Sequence, residues 1–201
     1  MSEIKQTSMA AMITVLTGMC VLSGVILAGI HFVTAKPIAD AARNARIEAV
    51  AQVLPAFNNN PIDEATEIVI PELTEPLTVY PVELNGTLVG AAVESYSPDG
   101  FSGEIAVIYG FNVDGELVNY HVMSHAETPG LGAKMEDWFR SELGNRSVIG
   151  VKPKDGNLTV AKDGSDIDGI TAATITSRAF LSALNSAWSA FEIYKEQSDK
   201  K

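Results

Sequence analysis

Apolar residues run without a charge from the segment after Lys5 to the one before Lys36. The core of this run, Met9 to Thr34, reads MAAMITVLTGMCVLSGVILAGIHFVT. At ~1.5 Å rise per residue its about 26 residues form a helix of roughly 39 Å, more than the ~30 Å hydrocarbon core of a bilayer. The alternative is a cleaved signal peptide, and Val33-Thr34-Ala35 offers a small-residue site. A signal peptide's apolar segment is only ~7–15 residues, so the pattern predicts an uncleaved anchor over residues 1–36. Gly24 and Ala28 have a small-xxx-small spacing, which composition alone accounts for in so Gly/Ala-rich a helix. His31 falls near the interface. Lys5 precedes the span, whereas Lys36, Arg43 and Arg46 follow it. That bias slightly favours the C-terminal side inside, but long domains override it, so charge does not fix the orientation.

Beyond the anchor the periodicity changes. Pro37 is expected to begin a second helix, with Ile38, Ala41, Ala42, Ala45, Val50, Val53 and Leu54 in an approximate stripe that Pro55 ends. An extended, acidic connector follows over Asn58 to Glu75, so that residues 37–75 form a helix and connector. The domain proper is expected over 76–201. Leu77–Leu84 and Thr87–Val93 are β-prone runs flanking Asn85-Gly86, the strongest short hairpin signal. Pro81 marks the first of them as an edge or interrupted strand. Glu104–Asn112 and Leu117–His125 flank Asp114-Gly115 as a second pair. A helix is expected over Gly132–Leu143, with Met135, Trp138, Phe139 and Leu143 on one face, and a short strand over Asn157–Lys162. Ser177–Tyr194 closes the domain as a helix with Phe180, Leu181, Leu184, Trp188 and Phe191 facing the core. The predicted fold class is α+β: one transmembrane helix and a small domain with an antiparallel sheet of four or five strands and flanking helices.

Composition sharpens this picture. The 201 residues suffice for one ordinary domain. A net charge of −11 argues against a nucleic-acid partner, which requires basic stripes. A mean hydropathy of +0.13 beside that charge is possible only because apolar and acidic residues are segregated along the chain. Cys20 is the single cysteine, so this chain alone builds no disulfide framework, multi-cysteine zinc site or iron–sulfur site.

Two segments have compositions that packing does not require. The first is His125-Ala126-Glu127-Thr128-Pro129-Gly130-Leu131-Gly132, which closes a strand and opens a helix. Its glycines permit close approach of a partner, and free N–H groups at a helix start favour an anion or a polar ring edge; a plain turn with a cap is the other reading. His121, His125 and Glu127 share a strand face, but no further histidine in the domain supports a metal site. The second segment is Asp168-Gly169-Ile170-Thr171-Ala172-Ala173-Thr174-Ile175-Thr176-Ser177. One cap needs one hydroxyl, yet four cluster here around small residues. Hydroxyls at a helix N-terminus are placed to hold, or be esterified by, a phosphate. The segment lacks the Gly-Lys-Ser/Thr of a nucleotide P-loop, and the chain lacks the Gly-x-Ser-x-Gly elbow of a serine hydrolase. The residues alone therefore lead to a phosphate-bearing ligand between two loops.

Asp168 to Thr174 resembles the flavinylation motif Asp-x-x-Ser/Thr-Gly-Ala-Thr, and His125 to Gly132 resembles the Glu-Thr-Pro-Gly-Leu-Gly loop of the same proteins. With one N-terminal membrane helix before them, these motifs make the chain similar, over nearly its whole length, to the G-type subunit of Rnf electron transport complexes. It also resembles the usually longer C-type subunit of the Na+-translocating NADH:quinone reductase. The resemblance implies FMN attached through its phosphate to Thr174 by a flavin transferase. It further implies that Asp168 and Thr171 serve recognition and local capping, and that Glu127, Thr128, Leu131, Gly132, Ala173 and Thr176 border the flavin. Lys162 matches a lysine that approaches the flavin in relatives; a solvated strand end is its other reading. The implied role is an electron relay beside the other membrane and redox subunits of an Rnf-type ferredoxin:NAD oxidoreductase. The implied location is the bacterial cytoplasmic membrane, with the domain on the extracytoplasmic side. The rivals are an anchored extracytoplasmic flavoprotein reductase serving an external acceptor, which neighbouring genes would discriminate, and a non-redox binding module. One position departs from the motif: Ala172 stands where the family has glycine. Its methyl narrows the backbone's freedom if that residue needs a positive φ.

Overall fold

The computed structural model describes residues 8–153 and 158–198. The chain forms two compact units, Met1–Ala45 and Arg46–Lys201. Helix α1 spans Met9–Val53. Its apolar part contains no buried residue, and α1 is long and apolar enough to cross a membrane. Contrary to the sequence expectation, Pro37 does not start a new helix; it lies inside α1. Proline removes one N–H donor and costs about 3 kcal/mol in a helix interior. The good helix formers of ADAARNARIEA continue the helix beyond it.

In the second unit a five-stranded antiparallel sheet has the order β1 to β5. Its strands are β1 Thr66–Ile68, β2 Leu77–Leu84, β3 Thr87–Ser97, β4 Ile105–Asn112 and β5 Leu117–Ser124. Asn85 and Gly86 both have positive φ, 54° and 76°, the backbone of a two-residue hairpin turn. Pro81 pairs with Ala91 of β3, beyond Val79, where the β1 pairing ends; there its carbonyl accepts from the Asn59 side chain at 3.0 Å, and no neighbouring strand calls on its missing N–H. β3 runs on to Ser97, past the expected Val93, because Ser95 and Ser97 are buried and continue the alternation.

Both faces of the sheet are covered. Leu77, Val79, Ala91, Val93, Val107, Tyr109 and Phe111 pack with helix α3, Thr174–Ser198, through Phe180, Leu184, Ala187 and Phe191. Tyr109 Oη donates to the Phe180 carbonyl at 2.9 Å and Ser95 Oγ to the Ala183 carbonyl at 2.9 Å, pinning α3 to the sheet. On the opposite face Ala49, Val50, Val53 and Leu54 meet Tyr80, Val82, Ala92 and Ile108. A Cβ on Gly110 would strike the Val53 carbonyl, so glycine is required where these residues cross β4.

The expected helix over Gly132–Leu143 is shorter. A 3-10 turn, Gly132–Lys134, leads into a single α-turn, α2, Met135–Trp138. Phe139 then stacks on Phe180 with ring centroids 4.4 Å apart, and the Val148 N–H donates to its carbonyl at 2.8 Å, which turns the chain away from a helical path. The expected strand Asn157–Lys162 begins outside the described residues. Of the remainder, Val160 bridges Ile167 in parallel and Ala161–Asp163 form a 3-10 turn closed by Gly164 at φ 99°. The last helix starts at Thr174, three residues before the expected Ser177.

Candidate functional site

Three loops converge on the N-terminus of α3. The first follows β5. Thr128-Pro129-Gly130-Leu131 is a turn closed by the Leu131 N–H on the Thr128 carbonyl at 3.1 Å, with Gly130 at φ 78°. Its preceding residue, Glu127, is only 5% exposed. Glu127 Oε1 accepts from the Ser102 N–H at 2.9 Å and Oε2 accepts from Thr176 Oγ1 at 2.6 Å. One carboxylate thus joins the β3–β4 loop, the β5–α2 loop and the first turn of α3. His125 takes part in this arrangement: its Nδ1 accepts from the Glu127 N–H at 3.1 Å and its Nε2 lies 3.1 Å from Glu136 Oε1. A Cβ on Gly132 would collide with the Glu127 carboxylate and come within 2.7 Å of Thr176 Oγ1.

The four hydroxyls before and in α3 have separate fates. Ser177 Oγ accepts from the Ile170 N–H at 2.8 Å and donates to the Ala173 carbonyl at 3.0 Å. Thr176 is fully buried and committed to Glu127. Thr171 is exposed on the wall of a cavity. Thr174 is half-buried, and its Oγ1 accepts from Lys162 Nζ at 3.2 Å. As the first residues of α3, Thr174, Ile175 and Thr176 also carry N–H groups that lack an intrahelical acceptor. The hydroxyl of Thr174 therefore combines access, an adjacent cation and the positive end of a helix.

Thr174 lies between two cavities. One, of about 330 Å³, is lined by Glu127, Thr128, Leu131, Gly132, Ala173 and Thr176, and also by Phe101, Ala172 and Ile175. The other, of about 270 Å³, is lined by Lys162, Asp168 and Thr171 among others. Every other residue that the sequence assigns to flavin contact or recognition thus lies on a cavity wall beside Thr174. Asp168 acts differently from a cap of α3: its Oδ2 accepts from the Asn145 N–H at 3.1 Å, and its carbonyl accepts from the Trp138 indole at 2.8 Å. Ala172 has φ 62°, so the position where the motif has glycine does adopt the left-handed backbone. Beside Lys162, Asp163 is held in a bidentate pair with Arg178, both contacts at 2.7 Å, and the guanidinium lowers the carboxyl's pKa from its ordinary value.

Sequence reasoning missed Phe101 and Ile175. Both are exposed apolar side chains, 68% and 47%, and with Leu131 at 42% they form an apolar rim on the larger cavity. Phe101 lies in Asp99-Gly100-Phe101-Ser102-Gly103; an aromatic amid glycines in a turn is a signal that could have marked it.

The residues fit FMN. The hydroxyl, helix N-terminus and ammonium suit a phosphate ester, and the larger cavity suits an apolar ring bordered by a few polar groups. Residues 100–189 match the FMN-binding domain family. The chain is 41% identical to the G-type subunit of the ion-translocating oxidoreductase complex of Erwinia tasmaniensis over 141 residues, 66% of each chain. It is 40% identical to that of Shewanella piezotolerans over 128 residues, 62% of this chain and 59% of the relative. With that of Pseudomonas aeruginosa (strain UCBPP-PA14) identity is 32% over 192 residues, 90% of this chain and 88% of the relative. The first two matches span about three fifths to two thirds of the relatives' length; the third spans nearly all. With its FMN-binding domain behind an apolar helix, the chain belongs to the family of G-type subunits of the ion-translocating oxidoreductase complexes, the Rnf type.

Proposed function

We propose that this chain is the electron-relay subunit of an Rnf-type, membrane-bound ferredoxin:NAD oxidoreductase coupled to ion transport, and that it carries FMN in phosphoester linkage to Thr174 Oγ. The observation that carries the attachment is the contrast among the hydroxyls: Ser177 and Thr176 are buried and bonded and Thr171 is exposed ahead of α3, whereas Thr174 stands at the start of α3, open to two cavities, and accepts from Lys162 Nζ. Residues 1–36 act as the anchor of a single-pass membrane protein, 37–75 as the rest of α1 and a connector that lends β1 to the sheet, and 76–201 as the body of the flavin domain. The domain stands on the extracytoplasmic side, and a flavin transferase matures it there.

FMN, when bound, accepts and passes electrons singly and so connects one-electron carriers. The protein's task is position. Glu127 fixes the loop that walls the cavity. Phe101, Leu131 and Ile175 exclude water from the ring. The free N–H groups of Thr174, Ile175 and Thr176 and the Lys162 ammonium meet the phosphate charge. Asp168 holds its own loop to Asn145, keeping the motif in shape for the transferase. The covalent tether prevents loss of the cofactor, and the membrane helix raises its effective concentration near partner subunits. Coexpression with a flavin transferase tests the reading: the denatured chain fluoresces in a gel. A dark wild-type band would contradict it.

A further inference from the structure

Lys162 stands in a 3-10 turn before the motif, and its Nζ donates to Thr174 Oγ1 at 3.2 Å. The nearby carboxylate, Asp163, has both oxygens taken by Arg178, and no carboxylate lies within salt-bridge distance of Lys162 among the described residues. The ammonium is thus a cation whose aim is a neutral hydroxyl, where a surface lysine gains little. The pairing has a chemical use only if that oxygen becomes negative. We infer that Lys162 is a positioning residue for the flavin-transfer reaction itself, orienting Thr174 as acceptor rather than contacting the flavin ring; this rests on Thr174 being the attachment residue.

In that step Thr174 Oγ forms a bond to the phosphorus of the flavin half of a flavin adenine dinucleotide. The pyrophosphate P–O bond breaks and adenosine monophosphate leaves with the bonding pair. The hydroxyl proton goes to a base of the transferase or to water. Lys162 cannot take that proton. By donating to Oγ it occupies a lone pair, turns the hydroxyl proton away from itself, and stabilises the negative charge that builds on the oxygen. After transfer it faces the single charge of the diester.

The test uses the full chain, purified in detergent without flavin, with flavin transferase and flavin adenine dinucleotide, reading covalent flavin against time. For Lys162→Met the maximal rate is expected to fall about tenfold or more. Its KM for the transferase and its melting temperature stay at wild-type values, because Lys162 is exposed. Lys162→Arg recovers most of the rate, since a cationic donor is restored. A purely structural lysine would not give this split. Lys162→Met modified at the wild-type rate would overturn the inference while leaving Thr174 as the attachment residue. A wild-type chain that takes up no flavin would overturn both.

Discussion

Thr176 Oγ1 donates to Glu127 Oε2 at 2.6 Å, and through this bond the first turn of α3 is locked to the loop after β5. Both residues are buried, and the same carboxylate accepts the Ser102 N–H. Glu127→Ala leaves two donors without a partner and is expected to cost about 2–4 kcal/mol, read by denaturant unfolding of the full chain in detergent. Gly132→Ala drives a methyl into the same pair and is expected to cost about 1–3 kcal/mol. Wild-type stability in either variant would mean that the lock is not formed.

Ala172 has φ 62°, a conformation that costs a residue with a side chain roughly 1–2 kcal/mol. Ala172→Gly removes that strain, partly offset by the greater entropy of the unfolded chain, and is expected to stabilise the protein by about 0.5–1 kcal/mol. It also restores the family motif, so the rate of flavin uptake is expected to rise or hold. A destabilised Ala172→Gly chain would show that the left-handed backbone is not populated.

Much of this arrangement is readable along the chain. Asn85-Gly86 announces the β2–β3 hairpin, since only residues tolerant of positive φ close so short a loop. The apolar stripe from Phe180 to Phe191 announces α3. The start of α3 is not readable, because Thr174, Ile175 and Thr176 are weak helix formers; the bond from Thr176 to Glu127 holds them in the helix. The early end of α2 is hidden too, as it depends on Phe139 stacking against a residue far along the chain. Phe101 escapes notice because a turn has no periodicity to read.

Alkaline pH provides an independent check on the core behind the site. Burial pushes the Tyr120 hydroxyl up to about 12, against an ordinary value near 10. The folded state therefore holds this proton where the unfolded state has lost it. Its contribution is intact below pH ~10 and is lost as the pH rises from ~10 through ~12, at up to about 1.4 kcal/mol per pH unit. Tyr109 is raised the same way by burial. In Tyr120→Phe the fall of stability across this window becomes shallower, and near neutral pH the lost bond to the Met135 carbonyl costs about 1 kcal/mol. An unchanged alkaline slope would contradict the burial of this hydroxyl.

The sidedness of the domain is open to a direct trial. Protease added to intact spheroplasts is expected to digest the part of the chain after α1 and to spare a cytoplasmic control protein. Protection of the domain until the membrane is broken would place it on the cytoplasmic side.

Everything proposed for the site turns on Thr174, alone among the hydroxyls of its segment, carrying the flavin. The decisive quantity is the intact mass of the chain coexpressed with a flavin transferase, compared with Thr174→Ala prepared in the same way. The wild-type mass is expected to exceed that of the sequence by FMN less one water, and Thr174→Ala to show only the mass of its own sequence. A flavin-bearing Thr174→Ala chain, or an unmodified wild type, would refute the attachment.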